Sequence, residues 1–216
     1  RLVEAMESRG IGCSKAFQDE VRALKEESER ALWDFKRNET RTMRAVREVI
    51  PRDAICCFDP SAPAYASGRK FPIYHPRTYM LSHGWDSIGY GFPAAIGARA
   101  ALPHRPVLCF TGDGSFQLNM QEMATAVQHD LPVITIIIND GSYGVLKGFQ
   151  LERYGGRYIA ADITGPDFVK WAEAYEVSAT RVRTVDELCK ALDQALRDGR
   201  NHVIDVSAPG GFNEFV

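Results

Sequence analysis

Apolar and polar positions change their spacing several times along this chain, and each change predicts an element. From Arg1 to about Glu48 both signs of charge crowd the sequence, while Phe17, Val21, Leu24, Leu32 and Phe35 recur at roughly helical spacing. That pattern predicts one or two amphipathic helices. Pro51 ends it, and short β-rich apolar runs follow at Ala54–Phe58, Val107–Phe110, Val133–Ile138, Val177–Val182 and His202–Val206. The second and third are nearly unbroken, as expected of strands buried on both faces of a parallel sheet. Helices are predicted between the runs, over Ser87–Leu102, Gln117–His129, Pro166–Glu176 and Thr184–Arg197. In Gln117–His129 the residues Leu118, Met123, Ala126 and Val127 form the apolar stripe, and Asp186 and Glu187 suit the first turn of Thr184–Arg197. Gly68–Pro76 and Lys147–Arg157 read as loops, and Gly210–Val216 as a tail. Alternating strands and helices predict an α/β fold, a parallel sheet with helices on both faces, over residues 51–216, preceded by a helical connector over residues 1–50.

Two of the apolar runs end in oxygen-rich turns. Val107–Phe110 leads into Gly112-Asp-Gly-Ser-Phe-Gln117, and Val133–Ile138 into Asn139-Asp-Gly-Ser-Tyr-Gly144. A strand, crossover helix and parallel strand bring both turns to one sheet edge, where ligands of open α/β sheets bind. Gly112 and Gly114 let the backbone approach a ligand, and Ser115 offers a hydroxyl and an amide; this suits a phosphate. Asp113 and Asp140 would repel a phosphate unless a hard cation such as Mg²⁺ lies between them. Metal and diphosphate are therefore expected together. On its own, Gly-Asp-Gly is equally compatible with an ordinary turn.

The pair of turns, with Asp140 placed 27 residues after Asp113, resembles the thiamine diphosphate signature. Upstream, Gly84-Trp-Asp-Ser-Ile-Gly-Tyr-Gly-Phe-Pro-Ala-Ala-Ile-Gly-Ala98 is similar to the segment that precedes it in acetolactate synthases and 2-oxo acid decarboxylases. The resemblance implies the thiamine diphosphate-binding fold, specifically the diphosphate-binding domain, one of three in the usual subunit. The first 50 residues would then be a connector from a central domain. It implies a metal held by Asp113, Asp140 and Ser142, and cofactor contacts from Ser61 and Ala62, from Asp86, Ser87 and Ile88, from Gly112, Asp113, Gly114 and Ser115, and from Asp140, Ser142, Tyr143, Gly144 and Val145. Ile88 is expected to be the catalytic wedge that bends the cofactor, and Asp86 to offer its backbone carbonyl to the cofactor's amino group. Two positions depart from the family's pattern, because Asp86 stands where Gly is usual and Asp140 where Asn is usual. His75 and His83 receive no catalytic role.

By the same resemblance, the reaction is acetolactate-synthase-like carboligation after decarboxylation of a 2-oxo acid. A simple 2-oxo acid decarboxylase and a non-catalytic cofactor-binding remnant are the alternatives. The family's activating glutamate belongs to a pyrimidine-binding domain with no counterpart here, so the chain alone is expected to be inactive. That domain, missing from the N-terminal side or carried by a separate chain, is an expected partner, and a homo-oligomer the expected assembly. No Gly-x-Gly-x-x-Gly or Gly-Lys-Ser/Thr turn supports a generic nucleotide-binding domain.

Composition adds limits. The 216 residues are 45% hydrophobic, enough for one ordinary domain and an appendage. A net charge of −2 and a pI near 6.2 give no reason to expect nucleic acid or an anionic membrane as partner. Five cysteines, an odd number without metal-type spacing, predict free thiols in a reducing cytoplasm. The sequence opens at Arg1, inside a helical pattern, and is expected to be a piece of a longer protein.

Overall fold

Strands β1 (Ile55–Phe58), β2 (Tyr79–Leu81), β3 (Val107–Gly112), β4 (Ile134–Asn139), β5 (Ser178–Val182) and β6 (His202–Ser207) form one sheet. These come from a computed structural model that describes residues 2–10, 12–33, 38–212 and 215. Every pairing is parallel, and the order is β2-β1-β3-β4-β6-β5. The strands alternate in the side to which they send their residues. Phe58, Leu108, Phe110, Ile134, Ile136, Ile138, Ile204 and Val206 enter one core, while Ile55, Cys57, Val107, Cys109, Ile137 and Val203 enter the other. Both faces are therefore apolar, which explains why the central strands read as unbroken hydrophobic runs.

Helices α3 (Asn38–Val49), α4 (Ala62–Lys70) and α10 (Val185–Asp198) cover the first face through Met43, Val46, Ala64, Leu188 and Leu192. Helices α5 (Gly91–Ala101), α6 (Asp113–Phe116), α7 (Met123–Gln128) and α9 (Phe168–Glu173) cover the second through Phe92, Ile96, Phe116, Met123 and Phe168. Helix α8 (Gly144–Tyr154) follows β4 and has no buried residue. The α/β expectation holds. Among the described residues no helix is long and apolar enough to cross a membrane.

The chain divides into two compact units, residues 1–36 and 37–216. The first contains α1 (Leu2–Glu7) and α2 (Lys15–Trp33), the latter with Phe17 and Leu24 exposed; Phe35 and the Leu32 side chain lie outside the described residues. The expected boundary lies near residue 50, whereas α3 falls in the second unit, where its Met43 and Val46, and Ile50 just after it, are buried in the core beside the sheet.

Several local expectations need correction. Lys147–Arg157 is helical up to Tyr154, with Gly155 as a left-handed cap at φ 61°. Residues 62–70 form α4, so Gly68–Lys70 end a helix where a loop over Gly68–Pro76 was expected; Pro63 suits the helix's first turn, where its missing N–H costs nothing. The strand β2 was not expected at all. Gln117–His129 is not one helix: a 3₁₀ turn at Met120–Glu122 precedes α7, and Leu118 and Val127 are exposed, so the stripe is Met123 and Ala126 beside Phe116. The supposed tail returns to the core, where Phe212 and Phe215 are buried and Thr42 donates to the Phe215 carbonyl at 3.4 Å.

Candidate functional site

The sheet order places β3 on the opposite side of β1 from β2, so the chain leaving β1 and the chain leaving β3 diverge. Such a switch point opens a crevice at the carboxyl ends of the strands. A cavity of about 330 Å³ lies there. Three segments line it from the sheet edge: Pro60–Pro63 after β1, Gly112–Ser115 after β3, and Asp140 with Ser142–Leu146 after β4. Asp86 and Ile88 enter from the loop before α5, and Tyr65 and Phe149 contribute aromatic edges from α4 and α8.

The acidic groups are held by backbone amides. Asp113 Oδ1 accepts from Gly114 N at 2.8 Å and Oδ2 from Gly141 N at 2.8 Å, so this one carboxylate ties the turn after β3 to the turn after β4. Asp140 Oδ1 accepts from both the amide and the hydroxyl of Ser142 at 2.9 Å. Burial, and then the negative charge of Asp140, push Asp113 up to about 6. Burial also raises Asp140, against its bonds to Ser142 and the nearby Lys147. Two carboxylates destabilised by burial, one of them also by its neighbour's charge, are poised to accept a cation.

The turn carrying Asp140 is braced from outside. Tyr143 N donates to Ala161 O at 2.8 Å, Ile163 N donates to Gly141 O at 3.0 Å, and Ser142 bridges Asp162 in antiparallel fashion. Lys147 adds an ion pair to Asp162. The space inside is close-fitted, since a Cβ on Gly114 would lie 2.5 Å from a Tyr143 ring carbon and one on Gly144 2.6 Å from Asp140 Oδ2. At Gly114 the contact is with the opposing turn, and at Gly144 with the Asp140 carboxylate of its own turn.

Comparison with known proteins now decides the class. Residues 63–206, more than half of the chain, match the family described as "Thiamine pyrophosphate enzyme, C-terminal TPP binding domain". The chain belongs to this family. It is 39% identical over 144 residues to the large subunit of acetolactate synthase isozyme 3 of Escherichia coli (strain K12), covering 65% of this chain and 25% of that protein. It is 28% identical over 168 residues to sulfoacetaldehyde acetyltransferase of Castellaniella defragrans, covering 76% of this chain and 28% of that protein. Among solved structures, the thiamine diphosphate-dependent 4-hydroxybenzoylformate decarboxylase of Rhodococcus jostii RHA1 superposes with a TM-score of 0.72 at 32% identity, over 79% of this chain and 32% of that chain. The chain thus spans about a quarter to a third of the length of these relatives.

For a thiamine diphosphate-binding domain, the cavity gathers most of the residues expected from sequence. Ser61, Ala62, Asp86, Ile88, Gly112, Asp113, Gly114, Ser115, Asp140, Ser142, Tyr143, Gly144 and Val145 all line it. Ser87 does not; it is exposed, and its carbonyl accepts from Ser82 Oγ at 3.4 Å. Asn139, the first residue of its turn, also faces away, donating through Nδ2 to the buried Asp205 at 3.0 Å. Asp86 sits at φ 51°, in the left-handed region where glycine is unstrained, a physical reason for the Gly that the resemblance leads one to expect there. Sequence reasoning missed Tyr65, Leu146 and Phe149. The signal for the last two was present, in apolar residues at 145, 146 and 149 before a capping Gly155.

Proposed function

We propose that this domain binds thiamine diphosphate together with Mg²⁺, as part of an enzyme that decarboxylates a 2-oxo acid and joins the product to a second carbonyl compound, in the manner of acetolactate synthase. The observation that carries the metal is the buried carboxylate of Asp113 and the half-buried one of Asp140, both lining one cavity beside Gly112, Gly114 and Gly144. Among the described residues no group of three or more His, Cys, Asp or Glu gathers around a common point. That donor set fits Mg²⁺, which is commonly held by one or two carboxylates and completes its shell with phosphate oxygens and water. Asp113, Asp140 and an oxygen of Ser142 would hold it.

When bound, the cofactor supplies the carbanion chemistry that 2-oxo acid decarboxylation requires. The protein's own contribution is placement. Gly112–Ser115 and Ser142–Val145 offer close backbone approach to a diphosphate, and Ser61 and Ala62 close its third side. Ile88, 39% exposed at the cavity, would support the bend of the cofactor. Asp86, which also lines the cavity, would offer its carbonyl to the cofactor's amino group. The pyrimidine-binding domain and a second copy of the protein are the expected partners. A simple decarboxylase is the second reading, favoured by the structural likeness to a 4-hydroxybenzoylformate decarboxylase.

Calorimetric titration of Mg²⁺ and thiamine diphosphate into the complete protein tests the binding reading. Asp113→Ala is expected to abolish cofactor binding. Asp140→Asn keeps an oxygen ligand while removing a charge beside the diphosphate, so half-maximal binding should need less Mg²⁺, whereas Asp140→Ala loses the site. Indistinguishable Mg²⁺ curves for the three Asp140 forms mean that Asp140 is not a ligand. Product analysis with pyruvate separates the two activities, because carboligation yields acetolactate and simple decarboxylation an aldehyde.

A further inference from the structure

Asp59, at the end of β1, is fully buried and does not line the cavity. Its Oδ1 accepts from the amides of Gly89 at 2.9 Å and Tyr90 at 3.2 Å, and its Oδ2 from the Thr111 hydroxyl at 3.0 Å. One carboxylate thus joins β1, the end of β3 and the segment that immediately follows Ile88. On the other side, Asn119 Nδ2 donates to the Gly89 carbonyl at 2.7 Å. Gly89 is held by both its amide and its carbonyl, at φ 86°, where a Cβ would lie 2.8 Å from Asn119. Gly91 packs against Asp59 so closely that a Cβ there would lie 3.0 Å from the Asp59 amide nitrogen. The loop preceding it is tethered far less: Trp85 is 89% exposed, and Ser82 to Ile88 make few bonds to the sheet.

We propose that Asp59 and Asn119 are positioning residues that clamp Gly89 between them and thereby fix where Ile88 enters the cofactor cavity. The inference rests on the cofactor reading above. A buried carboxylate is costly unless its oxygens are satisfied, and here all three bonds are made to the loop and strand that frame the site. The clamp does not require ionisation. Asparagine at position 59 keeps Oδ1 as acceptor for the two amides and turns an N–H toward Thr111, whose hydroxyl is already 3.1 Å from its alternative acceptor, the Gly112 carbonyl.

The test separates the diphosphate end of the site from the Ile88 end. Calorimetry on the complete protein with Mg²⁺ compares two probes, inorganic diphosphate and thiamine diphosphate, in the wild type, Asp59→Ala, Asn119→Ala and Asp59→Asn. Both alanine variants are expected to lose at least tenfold in affinity for thiamine diphosphate while changing less than twofold for inorganic diphosphate, and Asp59→Asn to restore the wild-type ratio. Asn119 is only half-buried, so its variant carries the test if Asp59→Ala does not fold. Equal losses for both probes reduce Asp59 to a structural residue and overturn the proposal, as does an unchanged ratio. A wild-type protein that binds neither probe overturns the cofactor reading itself, and the clamp's role with it.

Discussion

Asp113 meets Gly141 across the gap between two adjacent parallel strands, and that single contact makes one site of two turns. The same crowding leaves no room for a side chain at Gly114. An added Cβ would lie 2.5 Å from a Tyr143 ring carbon and 3.0 Å from Ile163 Cδ1. Gly114→Ala is therefore expected to push the two turns apart and weaken thiamine diphosphate binding at least tenfold, with a smaller effect on stability; calorimetry and urea denaturation on one variant distinguish the two.

Asp59 makes a separate prediction about pH. Burial pushes its carboxyl up to about 6, against its hydrogen bonds from Thr111 and the backbone amides. Between about pH 4 and 6 the native state holds a proton that the unfolded chain has released, so stability falls as pH rises through this window. Asp59→Asn removes that dependence. Its unfolding free energy relative to the wild type is expected to rise across the window by up to about 3 kcal/mol, from a shift of about two units. Urea melts at several pH values measure this, and a flat difference contradicts it.

Among the elements, α10 shows how local and tertiary terms combine. Thr184 caps its N-terminus by accepting from Glu187 N at 3.2 Å, Asp186 and Glu187 occupy its first turn, and Gly199 ends it in the left-handed conformation. Leu188, Ala191, Leu192 and Ala195 then face the sheet as one buried stripe. Leu192 is fully buried, and Leu192→Ala is expected to cost about 2–5 kcal/mol. The change reads out as a lower urea midpoint at an unchanged slope. Helix α8 is the contrasting case. Leu146, Phe149, Leu151 and Tyr154 are all exposed, so among the described residues no core packing selects its apolar side, and its charged residues dominate the sequence signal.

For the whole molecule, one polar network centred on the buried Asp205 spans the outer half of the sheet. Arg181 on β5 pairs through Nε with the buried Asp205 on β6 at 2.8 Å, and Asp205 in turn accepts from Asn139 at the end of β4. The turn bearing Asp140 is thereby anchored to strands remote in sequence. On the proposed reading the three strand-end segments would hold the diphosphate, and Ile88 and Phe149, which also line the cavity, are exposed. The isolated chain is accordingly expected to show no decarboxylation or carboligation of pyruvate. Turnover by the purified 216-residue chain, free of longer enzyme, contradicts this; turnover should appear when the pyrimidine-binding domain is supplied.

The sequence by itself determined the central strands β1, β3 and β4, because side chains buried on both faces of a parallel sheet leave unbroken apolar runs. It also determined the two acidic, glycine-containing turns, because Gly112-Asp-Gly-Ser115 and Asn139-Asp-Gly-Ser142 are local patterns at strand ends. It could not determine what depends on contacts between distant segments. That Asp59 reaches Gly89, that Asn139 turns to Asp205 while Asp140 turns to the cavity, and that Phe212 and Phe215 return to the core are decided by packing. A hydrogen bond across 30 or 66 positions leaves no period in the sequence, and only the folded sheet brings its two ends together.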